Sequence, residues 1–162
     1  MPHSHLATYL RDHTAGAQAA IEIMDDIDTS YRGSAAAGVV AQVRPEIFAE
    51  RELLYQLSER LKIQPSSTRR LFGWLSEKLV ELKLRVDDPG DGPLRLLESL
   101  ELLSIGISGK IALWNALDRC KDAEPALSAV DFQSLLVMAR AQHARVETVR
   151  IEAAREAFLV AD

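Results

Sequence analysis

The sequence predicts an all-α protein, a four-helix bundle with one extra helix in a long crossover between the second and third bundle helices. Three observations predict this fold. The helix formers Ala, Leu, Glu and Arg dominate the 162 residues, whereas Gly (8) and Pro (6) are sparse. Apolar residues recur at steps of three, four and seven in five separate stretches. Segments rich in turn-forming residues divide these stretches. The 48% hydrophobic content is ample for one core, so residues 1–162 are expected to form a single domain.

The first two bundle helices are predicted over about residues 6–27 and 35–61, separated by turn formers at 28–34. The first carries a stripe of Leu6, Leu10, Ala17, Ala20, Met24 and Ile27, and the second one of Val39, Val43, Ile47, Leu54, Leu57 and Leu61. Pro45 lies inside the second helix, where it removes one backbone hydrogen bond and clashes with the preceding turn. A kink or a short break is therefore expected there.

The second half of the chain contains the crossover helix, predicted at about 68–86, and two further bundle helices at about 94–119 and 129–159. A loop at residues 87–93 precedes the third bundle helix, and Pro93 suits its first turn. This helix is apolar around most of its circumference, as expected of the most buried element. Ser128 and Asp131 resemble a capping box at the start of the last helix.

Composition excludes several classes of function. The net charge of −5 argues against a general nucleic-acid binder, which needs an excess of Lys and Arg. No run of about 18 apolar residues is present to span a membrane. The N-terminus shows neither the basic nor the apolar region of a secretory signal, and the single cysteine, Cys120, cannot form an internal disulfide. A cytoplasmic protein is expected.

Each long helix places one polar residue on its apolar stripe: His13, Glu50, Glu101 and Gln142, in chain order. His13 and Glu50 lie at similar distances from the first helical hairpin, so they are expected to face each other. Glu101 and Gln142 are offset by roughly 8 Å at 1.5 Å per residue, and Ser108 lies closer to the level of Gln142. The sequence therefore predicts a core polar cluster of these four residues.

This order of helices, with one long middle crossover, resembles the ferritin-like superfamily. Its di-iron members use a Glu from each of two helices and a Glu-x-x-His motif from each of the other two. The second helix here has Glu50, but Leu53 replaces the histidine of the motif. The last helix has Gln142 in place of the glutamate and Arg145 in place of the histidine. The resemblance thus implies a bacterial protein that has the helix arrangement of a di-iron protein but lacks its metal ligands. It also implies that no cofactor is bound.

A non-standard metal site is the alternative, with iron or manganese held by His13, Glu50, His143 and Glu147, and with Glu101 as a further candidate. His143 and Glu147 are one helical turn apart, yet they lie roughly 80–120° from the centre of their stripe at 100° per residue. This position favours a helix interface for His143 and solvent for Glu147. His13 is expected to be a core histidine that is hydrogen-bonded to Glu50 or Gln142.

Small residues cluster at 15–17 and 19–20 on the first helix and at 104–109 on the third bundle helix. They favour close approach of these helices, which would leave little room for a cofactor. The alternative is that the glycines open a pocket or permit a bend.

The crossover helix has a wider apolar side than one docking face requires, because Phe72 and Trp74 lie on opposite flanks of its stripe. This helix either caps the bundle or contacts a second subunit, and the second reading predicts a homodimer. The sequence does not identify a biochemical function. It favours a non-enzymatic bundle that acts through protein–protein interaction, over a metal-binding protein or oxidase with an unusual ligand set. A binder of small apolar ligands is the third and weakest hypothesis.

Overall fold

The computed structural model describes residues 4–63 and 92–159, which form four α-helices and, within these ranges, no strand. The helices are α1 (Ser4–Ser30), α2 (Ala35–Arg60), α3 (Pro93–Cys120) and α4 (Phe132–Leu159). The prediction of an all-α bundle is confirmed for this part of the chain. No helix in these ranges is apolar enough over a sufficient length to cross a membrane. The predicted crossover helix at 68–86, with Phe72 and Trp74, lies outside the described residues.

Each helix packs against two neighbours: α1 contacts α2 and α3, and α4 contacts α3 most extensively and also α2. Two polar contacts fix the direction of α3. Arg95, near its start, pairs at 2.9 Å with Asp26 near the end of α1, and the Tyr31 hydroxyl donates to the carbonyl of Gly92 at 3.1 Å. Helix α3 therefore runs antiparallel to α1 and parallel to α2, and α4 returns antiparallel to α3. Residue 63, after α2, and residue 92, before α3, therefore lie at opposite ends of the bundle.

Helix α2 is well capped and continuous. Gly33 adopts a φ of 82°, which forms the turn, and the Ser34 side chain accepts a hydrogen bond from the amide of Ala37 at 3.1 Å. The helix passes through Pro45 without interruption, so the predicted break is wrong. Pro45 leaves the carbonyl of Ala41 without its helical donor, but both residues are exposed, so water can bond to that carbonyl.

Helix α4 begins at Phe132 rather than at residue 129, and the predicted cap at Ser128 is wrong. The Asp131 carboxylate caps this helix by accepting hydrogen bonds from the Ser134 amide at 3.1 Å and from its hydroxyl at 2.6 Å. Ser128 instead donates its hydroxyl to the carbonyl of Pro125 at 2.8 Å, which closes the preceding turn. Pro93 occupies the first turn of α3, as predicted.

The core consists of two buried apolar clusters, one at each end of the bundle. One includes Met24, Ile27, Val40, Val43, Ile47, Leu100, Leu103, Ile107 and Val146. The other includes Leu10, Leu54, Leu57, Leu113, Trp114, Leu117, Phe132, Leu136 and Ala139. On α2, α3 and α4, the first cluster gives way to the second over about two helical turns. Three inward-facing polar side chains lie at this middle level.

Candidate functional site

A buried polar network crosses the middle of the bundle, and we call it the central polar layer: Glu50 of α2, Lys110 of α3 and Gln142 of α4. The Lys110 ammonium donates to Glu50 Oε2 and to Gln142 Oε1. The Gln142 amide donates to the same Glu50 Oε2 at 3.2 Å. Glu50 is 3% exposed, Gln142 is fully buried and the Lys110 side chain is 14% exposed. The layer thus ties three helices together at one level.

The charges of the layer compensate one another. Burial lowers the pKa of Lys110, while the Glu50 carboxylate opposes that change. A second ion pair lies one turn away, where Arg145 of α4 donates to Glu46 of α2 at 2.6 Å. Burial raises the pKa of Glu46, but the hydrogen bond from Arg145 and nearby positive charges outweigh burial and leave that pKa below its usual value. Each carboxylate at the α2–α4 contact therefore has a cation from the protein itself.

A cavity of about 40 Å³ lies beside the layer, between α1, α2 and α3. It has room for a few water molecules, since one water needs about 10–15 Å³ measured in this way. Its small wall residues include Gly16, Ala17, Ala20 and Gly106. A Cβ atom added to Gly106 would meet no other atom within 4 Å. At this level the small residues line a small cavity, which matches the alternative that the glycines open a pocket.

His13 and Glu50 line this same cavity, together with Lys110 and Arg51. His13 is half-buried, its ring meets the Tyr9 ring edge-on at 4.6 Å, and burial lowers its pKa. Among the described residues no hydrogen bond joins His13 to Glu50 or Gln142, so the predicted pairing is wrong. Within the same ranges, the second carboxylate oxygen of Glu50, Oε1, is buried without a hydrogen-bond partner. A water molecule in the cavity could supply the donor that a buried carboxylate oxygen requires.

Glu101 does not belong to the layer: it is exposed, so its assignment to the core polar cluster is wrong. Leu94 and Ile105, which share the stripe of Glu101 at helical spacing, face outward with it and are 40% and 44% exposed. Apolar residues surround α3 on most sides, so their spacing could not show which face is buried. Lys110 takes the inward position, because its long aliphatic stem can pack along apolar neighbours while its ammonium reaches Glu50.

A second polar network lies at the α3–α4 contact, around the buried Ser104. Its hydroxyl donates to Glu147 Oε1 at 2.5 Å and lies 3.1 Å from Nε2 of His143. Arg150 donates to both oxygens of Glu147 at 2.8 Å. These bonds, that of Arg150 above all, lower the pKa of Glu147 to about 2. Glu147 is thus half-buried and paired, not in solvent as predicted.

This network is not arranged for nucleophilic catalysis. The single hydroxyl proton of Ser104 is donated to Glu147, so His143 Nε2 can bond to Ser104 only as a donor. In a serine nucleophile, the histidine must instead accept that proton. The set of Ser104, His143 and Glu147 therefore links α3 to α4 and does not activate the serine.

The four residues of the alternative metal set belong to two different places. His13 and Glu50 line the cavity, whereas His143 and Glu147 are bonded to Ser104. Across residues 4–63 and 92–159, no group of three or more His, Cys, Asp or Glu side chains is placed to hold a metal ion. Glu50 is also already bonded to the ammonium of Lys110.

Lys110, Ser104 and Arg150 belong to these networks but were not predicted from sequence. A signal for Lys110 is nevertheless present, because it is the sole charged residue between Ile105 and Leu117 of the most apolar helix. An isolated charge on a buried helix needs an opposite charge nearby, and Glu50 is the buried carboxylate at that level. Ser104 carries no such signal, since a serine among small residues is also compatible with an exposed position.

No family model, curated protein or solved structure matches this chain. Any function assigned to it therefore has to follow from its own side chains.

Proposed function

We propose that this chain is a metal-independent, non-enzymatic helical bundle of ferritin-like connectivity that acts by contacting another protein chain. The single observation behind the proposal is the Lys110 ammonium, which binds both Glu50 and Gln142 at the centre of the bundle. A fixed protein cation takes the position in which a metal protein would need its ion.

The directions of the helices support the ferritin-like connectivity. Ferritin-like bundles have four helices and one long crossover. Here α1 and α2 form one hairpin, α3 and α4 form another, and α2 and α3 run parallel, so the end of α2 and the start of α3 lie at opposite ends of the bundle. The contacts of α1 with α3 and of α2 with α4 complete a ring of four neighbouring helices.

The chemistry of the central polar layer supports metal independence. In the resemblance to di-iron proteins, Glu50 and Gln142 stand at the first positions of the two Glu-x-x-His motifs, and Leu53 and Arg145 stand at the histidine positions. A divalent ion at this level would have one carboxylate and no motif histidine to bind. It would also have to displace an ammonium that already neutralises this carboxylate. Transition metals need more nitrogen or oxygen ligands than this layer supplies.

The surface supports action through protein contact. The Ser104 network is bonded in a way that opposes nucleophilic catalysis, and the cavity has room for only a few waters. By contrast, large apolar side chains are exposed along α4, including Val137 and Phe158. Exposed apolar surface of this kind marks sites of protein interaction.

Metal titration tests the proposal. Purified protein is incubated with Mn²⁺, Fe²⁺ or Zn²⁺ without oxygen, desalted and assayed for bound metal by elemental analysis. Because His3 and His5 can bind metal adventitiously, a His3→Ala/His5→Ala variant serves as the background. We expect no stoichiometric metal in this background. One or more ions per chain that remain there but are lost in Glu50→Gln would overturn the proposal.

A further inference from the structure

The outer face of α4 is unusually apolar for a solvent-exposed helix. Of the nine large hydrophobic side chains that are exposed in the described part of the chain, five lie on α4. The three most exposed are Leu159 at 74%, Phe158 at 69% and Val137 at 65%. Scattered exposed hydrophobics are normal, but concentration on one helix indicates a contact surface.

Three of these five residues, Val137, Ile151 and Phe158, belong to a regular pattern, which we call the outer stripe. Residues spaced alternately by three and four positions are all exposed: Ser134, Val137, Ala141, Ala144, Thr148, Ile151, Arg155 and Phe158. This is the spacing of a helix that packs along a second helix. The Thr148 hydroxyl donates to the carbonyl of Ala144 at 3.0 Å, so an apolar contact would leave it satisfied. Helix α4 thus has an apolar side in the core and, on the surface, a second side on which three large apolar residues are interspersed with small and polar ones.

We propose that two copies of this chain associate through their outer stripes as an antiparallel pair of α4 helices, with the two-fold axis near Thr148. This inference rests on the proposed function, because it names the first partner as a second copy. In the half of the stripe before Thr148, Ala141 and Ala144 are small and only Val137 is large, whereas the other half has the larger Ile151 and Phe158. Antiparallel pairing puts the small half of each copy against the large half of the other, which fills the contact.

Charges beside the stripe favour a second copy over an unrelated partner. In the antiparallel register that places Met138 opposite Leu159 of the second copy, Arg145 lies opposite Glu152 of the second copy, and the two-fold axis repeats the pair. Arg145 uses Nε for the Ala141 carbonyl and Nη2 for Glu46, so Nη1 is a further donor. Glu152 is 63% exposed, and Arg155 lies 3.6 Å from it on the same helix. A parallel pair would instead place like charges at equal heights.

The size of the contact sets the expected affinity. A 28-residue helix is about 42 Å long and presents a face about 10 Å wide, or about 400 Å² for each copy. Stable complexes bury about 800 Å² for each partner. We therefore expect a weak dimer with a dissociation constant in the micromolar range.

Disulfide trapping tests the orientation. In a Cys120→Ser background, which removes the exposed native thiol, a Thr148→Cys variant should form an intermolecular disulfide at micromolar concentration. Val137→Cys should not, because the two copies of residue 137 lie far apart in the antiparallel pair. Ala112→Cys, at an exposed position of α3, is the matched control. Cross-linking of both stripe variants would overturn the antiparallel register, and equal cross-linking of all three would overturn the surface.

Sedimentation equilibrium tests the surface itself. An arginine at Ala144 fits a helix but puts bulk and charge at the centre of the contact. Ala144→Arg should raise the dissociation constant at least tenfold, whereas Ala112→Arg should behave as the wild type. Wild-type protein that stays monomeric up to about 1 mM would overturn the inference. Such a result would mean that the occupant of the stripe is not a second copy but residues 64–91 of the same chain or another partner. A monomer in this experiment would not contradict the proposed metal independence. Stoichiometric metal binding, in turn, would not contradict the proposed dimer.

Discussion

The Lys110→Met substitution removes the ammonium from the central polar layer while keeping a side chain of similar length. Glu50, which is 3% exposed, then retains only the amide of Gln142 at 3.2 Å as a donor. Removing one partner of a buried ion pair typically costs about 3–5 kcal/mol. We expect Lys110→Met to lower the free energy of unfolding by about 3 kcal/mol at pH 7.

The contact between Glu50 and Lys110 also predicts a coupling energy between substitutions of these two residues. The double variant Glu50→Gln/Lys110→Met has no buried charge at this site and should be more stable than Lys110→Met alone at pH 7.

Urea unfolding followed by circular dichroism measures the wild type, both single variants and the double variant. Lys121→Met, which removes a lysine paired with Asp118 at the surface, is the control and should have little effect. A loss below about 1 kcal/mol at pH 7 for Lys110→Met, or a double variant no more stable than Lys110→Met alone, would refute the reasoning.

Three further predictions concern the cavity and the titrating groups. Gly106→Ala should raise the free energy of unfolding by about 1 kcal/mol, because alanine is a better helix former and its methyl group would meet no other atom within 4 Å. A loss of stability in thermal unfolding would show that there is no space for this methyl group. The pKa of Glu147 is lowered to about 2, so its contribution is present above its ordinary pKa and is lost as the pH falls toward 2. Glu147→Gln should therefore reduce the dependence of the free energy of unfolding on pH in that window. An unchanged pH dependence would argue against the Ser104 network. Burial lowers the pKa of His13, so the unfolded chain takes up a proton first and stability falls as the pH drops below about 6.5. His13→Gln should remove that part of the pH dependence in urea titrations, and its persistence would assign the effect to another group.

The helices could be predicted from sequence because each has a long periodic stripe and is bounded by turn-forming residues. Glu50 and Gln142 could be predicted as buried because α2 and α4 have a distinct core-facing stripe, and both polar residues lie in the middle of it. The start of α4 was misplaced because Ser128 and Asp131 are both good capping residues. The choice between them depends on the turn that Ser128 closes with Pro125.

The central polar layer could not be predicted fully because α3 is apolar on nearly every side. Its spacing fitted a stripe through Glu101 as well as any other, and that stripe faces outward. The cavity was also beyond sequence reasoning, because a glycine such as Gly106 brings helices together only where its larger neighbours allow it. Spacing indicates which residues share a face, and packing decides which face is buried.

The charge state and surroundings of Lys110 test the account most directly. NMR of protein with isotope-labelled lysine, assigned with Lys110→Met, would detect the ammonium of Lys110 in the His3→Ala/His5→Ala background. The account predicts an ammonium signal that is protected from exchange with water, shifts in Glu50→Gln and stays sharp with one equivalent of paramagnetic Mn²⁺. Loss of that signal at one equivalent of Mn²⁺ would place a metal ion at the centre of the bundle and contradict the account.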